Sequence, residues 1–123
     1  MANLKELLEK VIKELKSTGD LDAGAVVSRD GLLIAADISQ NVNSDSFAAM
    51  TATMLGAAET ATSELGKGFP DRVIVEGEDG KIIATGAGFK ALLVAMASPN
   101  ANLGLLLLEM SKASNKIKEL LEE

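Results

Sequence analysis

The sequence predicts an α/β protein of the α+β type, with a five-stranded antiparallel sheet and helices on both of its faces. Three segments carry apolar residues at helical spacing, at residues 3–17, 45–65 and 102–122. Two pairs of short apolar runs are each joined by an Asp-Gly turn, and one further apolar run follows them. Since 123 residues are the length of one ordinary domain, we expect a single domain over residues 1–123 in the order α-β-β-α-β-β-β-α.

The first and last helices are predicted to be amphipathic, each with one apolar stripe. A polar turn follows the first stripe, and Gly19 is expected just past the C-cap of that helix. The last helix begins after Pro99, and its apolar surface is widest at its start. The apolar positions of the first stripe are Leu4, Leu7, Leu8, Val11, Ile12 and Leu15, and those of the last are Leu106, Met110, Ala113, Ile117, Leu120 and Leu121.

The strands are predicted from apolar runs that flank turn residues. Asp30-Gly31 joins the first two runs and Asp79-Gly80 joins the next two; Asp-Gly between apolar runs is the strongest short-range signal of a hairpin. Glycine favours such turns because it adopts positive φ without a steric penalty. The predicted strands occupy residues 23–28, 32–37, 72–77, 81–85 and 91–97.

The central helix, predicted over residues 45–65, has almost no polarity on any side. Residues 46–58 contain no charged side chain. Phe47, Met50 and Met54 are expected to cover the sheet, which leaves a line of small residues on the opposite side. In water a smooth, uncharged helix face favours contact with another copy or a partner, although an Ala-rich helix covered by the preceding loop is the alternative. The predicted contact residues on this helix are Ala48, Ala49, Ala52, Thr53, Gly56 and Thr60.

The composition excludes several classes of function. The chain has no Cys and no His, which excludes disulfides, thiolate or imidazole metal ligands and imidazole acid–base catalysis. A net charge of −6 and the lack of Trp and Tyr disfavour nucleic-acid binding. The amphipathic start is unlike a signal peptide, and the apolar runs are shorter than the ~20 residues that cross a bilayer. We therefore expect a cytoplasmic protein without membrane insertion, cofactor, metal site or active site of its own.

A few residues carry weaker signals of chemistry. The glycine-rich segments 77–80 and 86–90 lie between predicted strands, so they are interpreted as turns rather than as phosphate-binding loops, which lead into a helix. Arg29 at the first hairpin tip and Arg72 at the start of the third strand are candidate contacts to a nucleotide hydrolase, because a donated Arg stabilises transferring phosphate charge. An ordinary surface cation is the alternative for both.

Segments along the whole chain resemble the Roadblock family (dynein light chain 7 type). Residues 25–35 (AVVSRDGLLIA) resemble its first hairpin, residues 47–68 (from FAAM to LGKG) its central Ala-rich helix, and residues 100–106 (NANLGLL) the entry to its last helix. The resemblance implies that the central helix covers one face of the sheet and the terminal helices cover the other. It also implies a dimer in which the central helices lie side by side and the third strands pair across a two-fold axis, which places Val73 and Val75 in the interface.

The resemblance further implies a platform for small Ras-like GTPases, which some members stimulate and others hold in larger complexes. We therefore expect a homodimeric, non-catalytic regulator or scaffold protein that binds such a GTPase and changes its nucleotide state or its location. Bacterial polarity regulators of the family donate no catalytic arginine, which agrees with Arg29 being a turn residue. A small-molecule sensor and a purely structural assembly subunit are the alternatives, because a sheet flanked by helices also forms ligand pockets.

Overall fold

The computed structural model describes residues 2–39 and 41–122. Over these residues the chain forms three helices and five strands in the predicted order. The helices are α1 (Leu4–Gly19), α2 (Ser44–Glu64) and α3 (Leu103–Leu121). The strands are β1 (Ala23–Ser28), β2 (Leu33–Asp37), β3 (Arg72–Glu76), β4 (Lys81–Ala87) and β5 (Ala91–Ala97). All five lie in one antiparallel sheet of order β2-β1-β5-β4-β3, which confirms the predicted fold class.

Each helix begins at an asparagine that caps its first turn. The side-chain oxygens of Asn3, Asn43 and Asn102 each accept a hydrogen bond from the backbone N–H three residues later, at 2.9 to 3.1 Å. These bonds satisfy N–H groups that have no partner within the helix. The three helix starts are therefore determined by local sequence.

Helix α1 ends two residues later than predicted. Gly19 is the last helical residue, and Asp20 takes the left-handed conformation, with φ 57°. A Cβ on Gly19 would lie 3.3 Å from Leu106 Cδ1. This glycine therefore allows α1 to approach α3 closely and does not itself terminate the helix.

The sheet has a separate apolar cluster on each face. On one face α1 and α3 pack on the sheet, and Ile12 of α1, Ile83 of β4 and Ile117 of α3 are fully buried there. On the other face α2 packs through Phe47 and Leu55. This arrangement confirms that the central helix covers one face and the terminal helices cover the other.

The two edges of the sheet are β2 and β3. The turn between β1 and β2 contains Gly31 at φ 89°, as the Asp-Gly signal predicts. A Cβ on Gly31 would lie 3.2 Å from Ala49 Cα, so the tip of this hairpin rests against α2. β3 pairs with β4 along its whole length, and within the described residues no strand lies on its other side. An open edge strand therefore lies in contact with α2.

Candidate interaction interface

Helix α2 is held on the sheet by a narrow strip of side chains. Its buried residues are Phe47, Ala48, Thr51 and Leu55. The Thr51 hydroxyl donates to the carbonyl oxygens of Phe47 and Ala48, at 2.9 and 3.1 Å, so its burial leaves no unsatisfied hydroxyl. Every other residue of this 21-residue helix is at least partly exposed.

Two residues of α2 lie on the opposite side of the helix from the side that the sequence predicted. Met50, which was expected to cover the sheet, is 62% exposed, and Ala48, which was expected on the exposed face, is fully buried. Ala48 is therefore wrong as a contact residue for a partner. The hairpin tip lies against this helix on one side, where a Cβ on Gly31 would be 3.2 Å from Ala49 Cα. The hydropathy of α2 does not encode this contact.

The outward face of α2 is smooth along its middle. Residues 46–58 carry no charge, and the hydroxyls of Thr53 and Thr60 donate back to helix carbonyl oxygens at 2.9 and 3.1 Å. A Cβ added to Gly56 would meet nothing within 4 Å. A glycine inside a helix costs about 1 kcal/mol relative to alanine, and no atom of its own chain requires one here. The small size of Gly56 therefore favours a contact outside the chain.

This face continues into the open edge strand. Val73 and Val75 lie on the α2 side of the sheet, because they pair with Ala84 and Ile82, which belong to the cluster under α2. Val75 is 43% exposed and Ile74 is 36% exposed, and an exposed apolar edge strand is a template for pairing. We use the name α2–β3 surface for strand β3 together with six residues of α2, namely Ala49, Met50, Thr53, Gly56, Ala57 and Thr60.

The remaining interface residues predicted from the sequence are accessible in the folded chain. The exposed ones are Ala49, Thr53, Thr60 and Val75, and the half-buried ones are Ala52, Gly56 and Val73. Met50 and Ala57 also belong to this surface, although the sequence did not assign them to it. Their signal was the same uncharged segment, but placing them required the rotation of α2. Contact of these residues with a partner stays a prediction.

Arg29 is tied down at the end of the sheet and does not project from the hairpin tip. Its Nη1 donates to Glu59 Oε2 of α2 and its Nη2 donates to the carbonyl oxygen of Gly88, both at 2.9 Å. The guanidinium lies over Gly86, where a Cβ would be 2.9 Å from Nη2. Sequence reasoning missed Glu59, although it is the first charge after the uncharged residues 46–58. Arg29 thus links α2 to the turn between β4 and β5.

Arg29→Ala is expected to lower the free energy of unfolding by about 1 kcal/mol, because it removes a partly buried ion pair and a hydrogen bond from a charged donor. Urea unfolding followed by circular dichroism measures the change. Lys67→Ala, at an exposed loop position, is the control and is expected to change the free energy by less than about 0.5 kcal/mol. Equal losses for the two variants would contradict the structural role of Arg29.

An open groove of about 560 Å³ lies next to Arg29. Phe69 and Phe89 line it and are 81% and 89% exposed, and Lys118 of α3 lies at its border. Small-molecule sites bury most of the ligand surface. Because both aromatic side chains are so exposed, this groove does not enclose a ligand, and the small-molecule sensor gains no enclosed site from it.

The described residues also bear on metal and membrane binding. Within residues 2–39 and 41–122, no three acidic side chains come together as metal ligands would. In the same part of the chain, no helix has the length and apolar character that crossing a membrane requires. Segment 77–80 joins β3 to β4, which confirms its interpretation as a turn between strands. In segment 86–90, residues 88–90 form the turn between β4 and β5, whereas Gly86 and Ala87 belong to β4.

A family model described as the Roadblock/LC7 domain matches residues 7–97. The chain belongs to the Roadblock/LC7 family. Two uncharacterized proteins of Methanocaldococcus jannaschii, MJ0714 and MJ0310, are each 35% identical to this Roadblock/LC7 chain. The alignment covers 94% of this chain and 97% of MJ0714, and 91% of this chain and 97% of MJ0310.

A solved structure extends the comparison to three dimensions. The gliding protein MglB from Thermus thermophilus matches with a TM-score of 0.88 and 21% sequence identity, over 99% of this chain and 93% of that one. At this identity the likeness shows the fold. The Roadblock/LC7 fold therefore accounts for all three helices and the sheet, as the sequence resemblance implied.

Proposed function

We propose that the chain is a non-catalytic regulatory or scaffold protein that forms a homodimer through the α2–β3 surface and binds a small Ras-like GTPase. The observation that carries the proposal is the smooth, uncharged face of α2, which continues into an open apolar edge strand. Family membership supports the GTPase partner, since Roadblock proteins are platforms for GTPases of this kind. In the proposed dimer, the two α2 helices lie side by side and form one surface for the GTPase.

Burial of the α2–β3 surface between two copies would remove apolar area from water. Met50 is 62% exposed and Val75 is 43% exposed, and the small side chains between them let a second helix approach closely. A stable interface buries about 800 Å² per partner, and α2 extends about 30 Å at 1.5 Å per residue. Pairing of the strand edge would add to the area buried by α2 and would satisfy the exposed backbone groups of β3.

The proposed action on the GTPase is conformational. The chain supplies no His or Cys, and Arg29 is held by Glu59 and Gly88, so it does not extend as a donated arginine would. Arg72, which is exposed at the start of β3, remains a candidate contact to the GTPase. A surface that binds one arrangement of the GTPase switch loops more tightly shifts the GTPase towards that arrangement, by the difference in affinity.

Calorimetric binding to a small Ras-like GTPase, loaded with GDP or with a non-hydrolysable GTP analogue, tests the proposal. We expect at least about a tenfold difference in Kd between the two nucleotide states, a typical coupling between linked sites. Met50→Glu places a charge on the α2–β3 surface without touching the core, and we expect it to dissociate the homodimer and thereby to abolish binding of the GTPase. Lys13→Glu, on the exposed side of α1, is the matched control and is expected to bind like the parent chain.

The outcomes separate the alternatives. Equal affinity for the two nucleotide states would contradict a regulatory action and assign the chain a scaffold role. Failure to bind any small GTPase of the same genome would contradict the GTPase partner and favour a structural assembly subunit. Sedimentation equilibrium of the chain alone reports the homodimer independently of either result.

A further inference from the structure

Strand β3 is self-complementary in charge and in hydropathy. It reads Arg72-Val73-Ile74-Val75-Glu76, with three apolar residues between opposite charges at its two ends. Within the described residues its outer edge is open, and each of its residues is at least partly exposed. When β3 of a second copy lies antiparallel to it, each charged end of one strand lies opposite the oppositely charged end of the other, and apolar residues lie opposite apolar residues.

The two end charges are free to meet a partner. In the part of the chain that the structure describes, neither Arg72 nor Glu76 forms an ion pair. Lys81 lies opposite Glu76 on β4, but its Nζ donates to the carbonyl oxygen of Pro99 at 2.6 Å. Arg72 lies opposite the uncharged Thr85. Both charges are thus exposed beside the open edge without a partner of their own.

The side chains of β3 alternate between the two faces of the sheet. Ile74 pairs with Ile83, which packs against α1 and α3, so Ile74 and both end charges lie on that face. Val73 and Val75 lie on the α2 face. A two-fold axis perpendicular to the sheet keeps both α2 helices on one face, so opposed residues of the two copies must share a face. This condition is met only when the two-fold axis passes between one residue and the same residue of the second copy, and we call such a register centred on that residue.

The register centred on Ile74 matches every pair. It sets Arg72 of one copy opposite Glu76 of the other, and the same ion pair recurs at the other end. It sets Val73 opposite Val75 and Ile74 opposite its own copy. Opposite charges and apolar side chains directly across a strand pair are stabilising, whereas like charges are destabilising.

The two neighbouring registers, centred on Val73 and on Val75, place unlike residues opposite each other. Centring on Val73 sets Glu76 opposite Pro70, which has no N–H to donate, and it sets a valine opposite Asp71. Centring on Val75 sets Ile74 opposite Glu76, so an apolar side chain meets a charge at two places within the strand. The same register sets Arg72 opposite Glu78, but Glu78 lies beyond the end of β3. The charges of β3 therefore select one register among the three.

We propose that the end charges of β3 select the register and the partner of the strand pairing that the family resemblance implies: β3 pairs with β3 of a second copy in the register centred on Ile74, through two Arg72–Glu76 ion pairs. The inference rests on the proposed homodimer and adds to it the register and the basis of partner choice. Partner choice matters because one organism can carry several relatives of this chain, as MJ0714 and MJ0310 of one species illustrate. A related chain with a like charge at either end of the strand is rejected by repulsion.

Introduced cysteines report the register, because the chain has no cysteine of its own. Ile74→Cys is expected to form a covalent dimer on oxidation, since opposed Cα atoms in an antiparallel pair lie about 4.5 to 5.5 Å apart, within reach of a disulfide. Val73→Cys and Val75→Cys are the matched controls. Each lies diagonal to its own copy, at about 7 to 8 Å, and is expected not to cross-link alone. A mixture of these two variants is expected to cross-link.

Each other outcome overturns a defined part of the inference. Cross-linking by Val73→Cys or Val75→Cys alone overturns the register and leaves the proposed dimer intact. A chain that sediments as a dimer but never cross-links at these positions overturns pairing through β3. A parent chain that sediments as a monomer overturns the proposed homodimer itself, so the two failures are distinguished.

Charge reversal tests partner choice. R72E and E76R each set like charges opposite one another at both ends, and each is expected to raise the dimer Kd at least about tenfold. The double variant R72E/E76R restores both ion pairs and is expected to dimerise within about threefold of the parent chain. Both positions are exposed, so all variants are expected to keep the circular dichroism of the folded chain.

Mixing the two single variants gives the sharpest readout. A chain with R72E complements a chain with E76R at both ends of the strand. Native mass spectrometry of an equal mixture is therefore expected to show mainly heterodimers. A statistical mixture, in which about half of the dimers are mixed, overturns the role of the charges in partner choice.

Discussion

Gly56→Leu is expected to dissociate the proposed dimer while the single chain stays folded. A Cβ at this position meets nothing within 4 Å in its own chain, so the leucine projects outwards without disturbing the core. Between two closely packed helices, the same leucine forces the backbones apart, because packed surfaces do not accommodate extra methylene groups. With one such clash from each copy, we expect the Kd measured by sedimentation equilibrium to rise about a hundredfold.

Gly56→Ala is the matched control for this substitution. Alanine is favoured over glycine inside a helix by about 1 kcal/mol, and this gain offsets part of the cost of one added methyl group in the interface, which is smaller than the cost of a leucine side chain. We therefore expect Gly56→Ala to remain dimeric, and both variants to keep the helical circular dichroism of the parent. A Gly56→Leu chain that stays dimeric would contradict the placement of Gly56 in the interface.

Leu55→Ala is expected to lower the free energy of unfolding by about 2 to 5 kcal/mol, the range for truncation of a buried leucine. Leu55 is 1% exposed and, with Phe47, provides the large side chains that α2 buries. The cavity would open directly beneath the α2–β3 surface, so dimer and GTPase binding are expected to weaken together with stability. Urea unfolding measures the loss, and hydrogen exchange is expected to quicken at the amides of α2.

Met50→Ala, on the same helix, is the matched control for Leu55→Ala. Met50 is 62% exposed, and its truncation is expected to change the free energy of unfolding of a single chain by less than about 0.5 kcal/mol. Both variants are best measured in a Gly56→Leu background, which separates folding from association. Comparable losses at the two positions would show that Met50 packs on the sheet, and would contradict the rotation of α2.

Much of the fold could be predicted because its signals are local. The apolar spacing of residues 3–17 and the Asp30-Gly31 turn depend on neighbours a few positions away, and the structure confirms the helix and the hairpin that they predict. The differences are small and lie at element ends. β2 begins one residue later than expected, at Leu33, and β4 continues to Ala87, beyond its predicted end.

The candidate interface was less predictable. Helix α2 has apolar or small residues on nearly every side, so its hydropathy does not select one rotation over another. The contact of Gly31 with Ala49 helps select it, and these residues come from different elements. Arg29 lies in the turn between β1 and β2, as predicted, but its contact with α2 was not predictable from the sequence. Its ion pair with Glu59 exists only once the hairpin has docked on α2.

By itself, the sequence determined the order of the elements, the apolar stripes of α1 and α3, and the lack of groups for thiol or imidazole chemistry. The tertiary structure alone decided the strand order β2-β1-β5-β4-β3 and the rotation of α2 that exposes Met50 and buries Ala48. The physical reason is the range of the interactions. Periodicity and turn chemistry act over a few residues, whereas the place of a strand and the rotation of a helix depend on contacts between residues far apart in the chain.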